Sequence, residues 1–568
     1  MKATTMLLCV VAVCVVFLLA VVFHVPSTGP SISHDSAADI DRMVRLIQLQ
    51  NETISALSSH VTSSGKADVN DLLQLLKDKD AEIERLTAIA AHRPSQPSTH
   101  TPSVALSSQR SGPLSVPPST MEASCEARFG MQLVDDWRAS KQEWCVTENG
   151  APMESKLLCY PHKQHHKASP DMFCEATNFI IDFSKISGQH GTKKPTRGDQ
   201  YLSFRDESLL SPCKKTDRYK PHLFMPHHRL QMARFTSGVS NPTYDITHEP
   251  PTYLLARDED CENSFHSTAD FMNMFLVQSA LGLNPHDVQV VLFDKHTDGP
   301  YYDLIHRAYG PNHPILRHTD FNNKKVLFKR LVFHLESPAG LIFPKVANPD
   351  PLRCVSTSLF QAYRKHVLRS FDLWDVPPPP IPSITLSLRH RTPAKNVGRI
   401  MANEEEVSNV LRSIDMAHVQ IVDTAKMSFY DQLKLIRNTN ILVGIHGAGL
   451  MFIMFAAEEA ILVEIHPSYR QDRHFRHASR MTNKIYMPLR ATARETCQGS
   501  SDNVVVPIEE FKRTIDGAVR IARSFDDGLS ECGMTCNPGL LALDKRLDPY
   551  YKKGTKRSPP INTRFPCG

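Results

Sequence analysis

The run Gly444-Ile445-His446-Gly447-Ala448-Gly449-Leu450 follows an apolar stretch, Ile441–Ile445, that reads as a buried strand. It leads into a helix-like segment, Met451–Ala457. A glycine-rich turn from strand to helix lets backbone N–H groups approach a phosphate at the positive end of the helix. Here Gly447, Ala448 and Gly449 would bring main chain to a pyrophosphate and His446 would add a side-chain donor. The pattern is neither the lysine-containing P-loop nor GxGxxG. Read blandly, it is a tight turn with no ligand. Glu464 closes the next apolar strand, Ala460–Ile465. A carboxylate at the carboxyl end of such a strand faces the ligand crevice and would accept from a ribose hydroxyl.

A second group lies in Cys261-Glu262-Asn263-Ser264-Phe265-His266-Ser267-Thr268-Ala269-Asp270. Asn263, His266 and Asp270 are spaced i, i+3, i+7, so a helix would place all three on one face. Asp270 would either orient the His266 imidazole or act itself as a base. The alternative is a surface helix with a few polar residues. A third group is Arg389-His390-Arg391, at the end of the apolar run Ser383–Leu388, followed by Arg399 and Asn403-Glu404-Glu405-Glu406. Arg389 and Arg391 suit phosphate oxygens, which guanidinium binds in a bidentate manner.

Other clusters are weaker. His162, His165 and His166, and His222, His227 and His228, lack the carboxylate or cysteine pattern of a metal site and read as solvated loops. Asp294-Lys295-His296-Thr297-Asp298 is not the Asp-x-Asp that holds a metal–nucleotide complex. No metal is expected.

Strands alternating with helices must position these groups. Val288–Phe293 and Val326–Phe333 read as strands before the break Pro377–Pro382, and Ser383–Leu388, Val419–Val422, Ile441–Ile445 and Ala460–Ile465 after it. Asn403–Ser413 and Ser428–Arg437 read as helices between them. That alternation argues for parallel α/β sheets. Four consecutive prolines exclude helix and favour stiff extended chain. The expectation is an α/β protein of two Rossmann-like lobes with a cleft between, 122–376 and 383–525, joined by a proline hinge, 377–382.

The 568-residue chain exceeds one hydrophobic core. Its net charge of +5, without a long basic run, gives no support for nucleic-acid binding. Met6–Phe23 is an unbroken apolar run of membrane-spanning length. With Lys2 before it and no nearby Lys or Arg after it, residues 1–5 would be a cytoplasmic tail and 6–25 a signal anchor, with the rest lumenal. Residues 26–91 carry near-heptad apolar spacing and read as a helical stem, a candidate coiled coil through which a homodimer would form. Asn51-Glu52-Thr53 is a glycosylation sequon within it. Residues 92–121, rich in Pro, Ser and Thr, read as an extended linker. Of 13 cysteines, Cys9 and Cys14 fall in the apolar run, and the lumenal eleven are expected to form disulfides with at least one thiol unpaired. Residues 526–568 form a cysteine-containing tail with no assigned role.

Taken together, order and spacing resemble glycosyltransferase family 61. The Asn263–Asp270 segment resembles that family's Asn-x-x-His-x-x-x-Asp, and Arg389–Val407 its arginine strand and acidic helix. Met427–Gln432 leading into His446–Leu450 resembles its His-Gly-Ala-Gly-Leu block. Within the family, Phe265–Phe271, Val290–Asp294, Ser337-Pro338-Ala339-Gly340 and Ser124–Gly130 are most similar to plant-type N-glycan β-1,2-xylosyltransferases. The resemblance implies a GT-B-like fold and inverting transfer from UDP-xylose to the core mannose of N-glycoproteins in the Golgi, with no obligatory metal. It gives Asp270, ahead of His266, as base, the HGAG turn with Arg389 and Arg391 as the leaving-group site, and Asn263 as support. Two alternatives stand beside it: an O-linked N-acetylglucosaminyltransferase of the secretory pathway and a non-catalytic lumenal sugar-binding protein. The Phe565-Pro566-Cys567-Gly568 end is not a KDEL-type signal.

Overall fold

Parallel strands in each half of the chain end at the candidate residues. The computed structural model describes residues 120–526, apart from 164–169, 192–198, 225, 259–260, 338, 343–353, 378–381, 391–398, 468–472 and 494–503. The apolar run Met6–Phe23, the stem with Asn51, most of the linker, Arg391, the central prolines, Cys497 and the tail with Cys532, Cys536 and Cys567 lie outside the described residues. Among those described, no helix is long and apolar enough to cross a membrane.

The first half opens with helices α1 (Thr120–Phe129) and α2 (Met131–Ala139). Strands β1 (Gln142–Val146), β2 (Lys156–His162) and β3 (Asp171–Asp182) follow as an antiparallel meander. After α3 (Pro226–Ala233) come β4 (Thr252–Leu255), α4 (Ser264–Leu281), β5 (Gln289–Leu292), α5 (Tyr302–Tyr309), β6 (Leu316–Arg317), β7 (Lys325–Phe333) and α6 (Ser358–Ser370). The sheet runs β6-β5-β4-β7-β3-β2-β1, with β4 to β7 mutually parallel and β3 antiparallel to β7. All of β4 and β5 is buried, as expected for parallel strands covered on both faces.

The second half is a parallel five-stranded sheet. Its strands are β8 (Ser383–Ser387), β9 (His418–Val422), β10 (Ile441–Ile445), β11 (Ile461–His466) and β12 (Ile485–Arg490). Helices α7 (Glu404–Arg412), α8 (Phe429–Arg437), α9 (His474–Met481) and α10 (Ile508–Asp526) accompany them. The order is β9-β8-β10-β11-β12. The chain therefore reverses its direction of travel across the sheet between β8 and β10. In doubly wound sheets the ligand crevice opens at the carboxyl ends of such a strand pair.

Apart from Met451–Ala457, the strands and helices expected after the break are found within a residue or two at each end. Two expectations change. The first half is Rossmann-like only over its parallel strands; β1 to β3 form an antiparallel meander with no helix between them among the described residues. A buried seam also joins the two halves. Phe265, Ala269 and Met272 of α4 share one buried cluster with Leu442, Leu450, Met451, Phe455 and Leu462 of the second half. The segment expected as helix Met451–Ala457 is a 3-10 helix, Ala448–Phe455, whose apolar side chains fill this seam. The chain leading into the prolines is pinned as well: the Arg437 guanidinium donates to the carbonyls of Leu373, Trp374 and Val376.

Disulfides join Cys125 to Cys354, Cys145 to Cys213 and Cys159 to Cys174, the last across β2 and β3. Cys261 is a buried free thiol.

Candidate active site

On the first sheet, each parallel strand delivers a polar group at its carboxyl end. Beyond β4 stand Arg257 and Asp258. Arg257 Nη2 and Nε bind Asp294 Oδ1 and Oδ2 at 2.7 and 2.9 Å, beyond the end of β5. Burial alone would raise the Asp294 carboxyl, but the Arg257 guanidinium holds it well below the usual carboxylate range. This paired, buried charge fixes the strand exits. Asp258 then makes three contacts: Oδ1 to His266 Nδ1 at 3.0 Å, Oδ2 from the Ser337 hydroxyl beyond β7, and its N–H to Asp270 Oδ2 at 3.0 Å.

The Ser337 loop is itself clamped. Asn273 Nδ2 on α4 donates to the carbonyls of Leu335 (2.9 Å) and Ala339 (3.2 Å). Gly340, at φ +79°, leaves room for the Asn273 amide; a Cβ there would collide with it. Glu336 turns the other way. Its carboxylate receives the N–H of His228 (3.0 Å) and of His227 (3.4 Å) at the start of α3, and burial raises it to about 7. His227 and His228 are thus buried in a helix, not in a solvated loop as expected.

The structure distributes the Asn263–Asp270 motif over three jobs. Asn263 is the N-cap of α4, its side chain accepting from Phe265 N–H at 3.0 Å. His266 is about a quarter exposed, with Nδ1 on Asp258. Asp270 is 1 % exposed and lies behind this pair, with Oδ1 3.6 Å from His334 Nε2. Burial, then the Asp258 charge, pushes its carboxyl well above the usual range. Asp270 accepts from the Asp258 N–H, whereas the Asp258 carboxylate itself meets His266 Nδ1. Asp258 was missed because TYLLARD did not read as a strand; a carboxylate just past the carboxyl end of β4 is the signal that would have found it.

On the second sheet, Arg389 follows β8 and His446-Gly447 follow β10, so they flank the switch point. Arg389 Nη1 reaches the His446 carbonyl at 3.5 Å. Gly447 opens the 3-10 helix Ala448–Phe455, and the first N–H groups of any helix lack an internal acceptor. A Cβ added at Gly449 would meet Thr424 Oγ1 at 3.6 Å, an ordinary contact.

Glu464 does not reach the crevice. It is fully buried; Oε1 takes His446 Nδ1 at 2.5 Å, and Oε2 takes the Tyr486 hydroxyl at 2.7 Å with His466 Nε2 at 3.4 Å. The His466 ring also meets the Tyr486 hydroxyl at 2.8 Å. Burial would raise the Glu464 carboxyl, but His466 and His446 hold it down to about 2. Glu464 thus backs the His446 ring. The ligand-type atoms of His446, Glu464 and His466 lie within 4.8 Å of one another, close enough to share a cation. Both Glu464 oxygens are already engaged by hydrogen bonds.

The two constellations meet. The Phe265 ring, beside His266, stacks on His474 at 4.9 Å, and His474 lies 6.0 Å from His446. Phe475 packs on His446 at 5.1 Å. His474 and Phe475 open α9 and were not singled out in the sequence, although the basic run Arg473-His474-Phe475-Arg476-His477 marks them.

A strand-switch crevice holding Arg389, His446 and a glycine turn thus lies near the Asp258–His266 pair. Residues 265–463 match the family Glycosyltransferase 61. The chain is similar to EGF domain-specific O-linked N-acetylglucosamine transferases. Identity is 25 % over 330 residues with that of Canis lupus familiaris (56 % of this chain, 58 % of the relative). It is 26 % over 324 residues with that of Mus musculus (55 % and 58 %). For Drosophila melanogaster it is 30 % over 228 residues (39 % and 42 %). The matched region thus spans little more than half of the mammalian relatives.

Proposed function

We propose that this protein is an inverting glycosyltransferase that moves N-acetylglucosamine from a UDP-sugar to a hydroxyl of a lumenal protein. The observation that carries the reading is the facing of two sites through Phe265, His474 and His446. Each site supplies what inversion without a catalytic metal needs. The acceptor hydroxyl must lose a proton as it attacks the anomeric carbon, and His266, oriented through Nδ1 by Asp258, is the base. The departing diphosphate gains charge, and Arg389, His446 and the N–H groups of the Gly447 turn stabilise it. Two carboxyl-end crevices facing each other fit the GT-B-like arrangement that the resemblance implied. Arg391 is proposed to assist Arg389.

N-acetylglucosamine is preferred over xylose because the relatives reported above are named for transferring it to EGF domains. Transfer of xylose to N-glycans is a second reading, supported by the likeness of Phe265–Phe271 and Ser337–Gly340 to xylosyltransferases. Three disulfides accord with action in an oxidising lumen, and the Met6–Phe23 run with a Golgi-type anchor.

The test is a panel of UDP-sugars offered with an EGF-domain acceptor and an N-glycan acceptor. Transfer of N-acetylglucosamine to the EGF domain supports the first reading. Xylose on the N-glycan replaces it with the second. UDP binding without turnover on either acceptor would leave a sugar-nucleotide-binding protein and end both.

A further inference from the structure

The buried chain behind His446 runs in one direction. The Tyr486 hydroxyl donates to Glu464 Oε2 at 2.7 Å, so its lone pair faces the His466 ring nitrogen at 2.8 Å. Glu464 Oε1 meets His446 Nδ1 at 2.5 Å. An ionised carboxylate only accepts, so the proton between them belongs to Nδ1 and the ring's other nitrogen, Nε2, is turned away from Glu464. Glu464, His466 and Tyr486 are all nearly or fully buried, on the adjacent strands β11 and β12, and Glu464 sits opposite Gly444 in the register of β10. A polar network with no exposed member does nothing for solubility and costs desolvation unless every group is matched. Second-neighbour hydrogen bonds of this kind fix the tautomer and orientation of a working histidine.

We infer that Tyr486, backed by His466, is a positioning residue that acts on nucleotide binding only through Glu464 and His446. This rests on the reading of His446 as a donor to the diphosphate. Tyr486 stands on β12, two strands away from β10, and has no direct part in the crevice. Its hydroxyl holds the Glu464 carboxylate in the rotamer that aims the His446 ring, while Phe475 packed against that ring and Arg389 on the His446 carbonyl restrain the remaining freedom. Without the hydroxyl, Glu464 keeps one neighbour on Oε2, His466 at 3.4 Å, and the His446 ring loses its fixed partner.

The experiment is calorimetric titration of the whole protein with UDP alone, for the wild type, Tyr486→Phe, His446→Ala and the double variant, with thermal melts to verify folding. Tyr486→Phe keeps the ring and is expected to weaken UDP binding about three- to tenfold, the worth of one buried hydrogen bond. In the His446→Ala background the same change is expected to have no further effect, which a merely structural role would not produce. His466→Gln, should Tyr486→Phe not fold, is expected to follow the same pattern. Unchanged affinity in Tyr486→Phe, or an equal additional loss in the double variant, would overturn the inference while leaving the glycosyltransferase reading intact. Failure of the wild type to bind UDP would instead remove the reading on which it rests.

Discussion

The guanidinium of Arg389 occupies the place that a side chain on Gly447 would need. A Cβ there would collide with Nη1. The Gly447 backbone, at φ 179°, is extended, so any residue fits its conformation and only the steric conflict selects glycine. Gly447→Ala is therefore expected to push Arg389 off its position, with little change in melting temperature. UDP affinity should fall about tenfold, the loss of one charged hydrogen bond. Arg389→Ala should cost a similar amount, and the two changes together no more than the larger alone. Additive losses in the titrations would disprove the coupling.

The two aspartates near His266 separate by charge. Asp258→Asn removes the negative partner of the imidazole and should lower kcat by about 10²- to 10⁴-fold with UDP binding unchanged. Burial, then the Asp258 charge, pushes the Asp270 carboxyl well above the usual range, so Asp270→Asn, which keeps the shape without the charge, should keep kcat within about tenfold of wild type. Steady-state kinetics on both variants decide the point: a dead Asp270→Asn enzyme beside an active Asp258→Asn enzyme would reverse the assignment.

Glu336 gives a pH signature in stability. Its folded carboxyl is raised by burial to about 7 from a usual value of 4.5. Below 4.5 both states are protonated and its contribution is full. As pH rises from there to about 7, the unfolded chain ionises first and the folded state loses about 3 kcal/mol. Glu336→Gln should flatten that part of the curve of unfolding free energy against pH. An unchanged slope in urea titrations across the window would show that Glu336 ionises normally.

The Cys125–Cys354 bridge ties α1 to the approach of α6, where Glu126 also accepts from the Ser358 N–H and hydroxyl. Replacing both cysteines with serine should cost about 2–5 kcal/mol. The Glu126 contacts would keep α1 docked, so UDP affinity should persist at low denaturant. Loss of UDP binding in a folded variant would place the bridge nearer the site than this geometry does.

The second sheet was legible because its strands are short, mostly apolar runs separated by amphipathic helices; Ile441–Ile445 is found with its predicted ends. The meander of β1 to β3 was not, because KLLCYPH and DMFCEATNFIID mix polar and apolar residues without clean alternation. The motif residues were visible by type, but their roles depend on rotation about the helix axis and on what lies behind each side chain. Spacing placed Asp270 with His266, whereas packing turned it toward the sheet. Glu464 at a strand's carboxyl end satisfied the rule for a crevice residue, yet His446, Tyr486 and His466 close around it. No local pattern announces such a partner set, since Tyr486 comes from another strand.

The apolar seam between α4 and Ala448–Phe455 constrains engineering and evolution alike. Grafting a relative's second half onto this first half would juxtapose mismatched surfaces unless the facing helix travelled with it. Changes in the polar crevice should accordingly arise through substitutions in loops at the strand exits, rather than by wholesale exchange of halves.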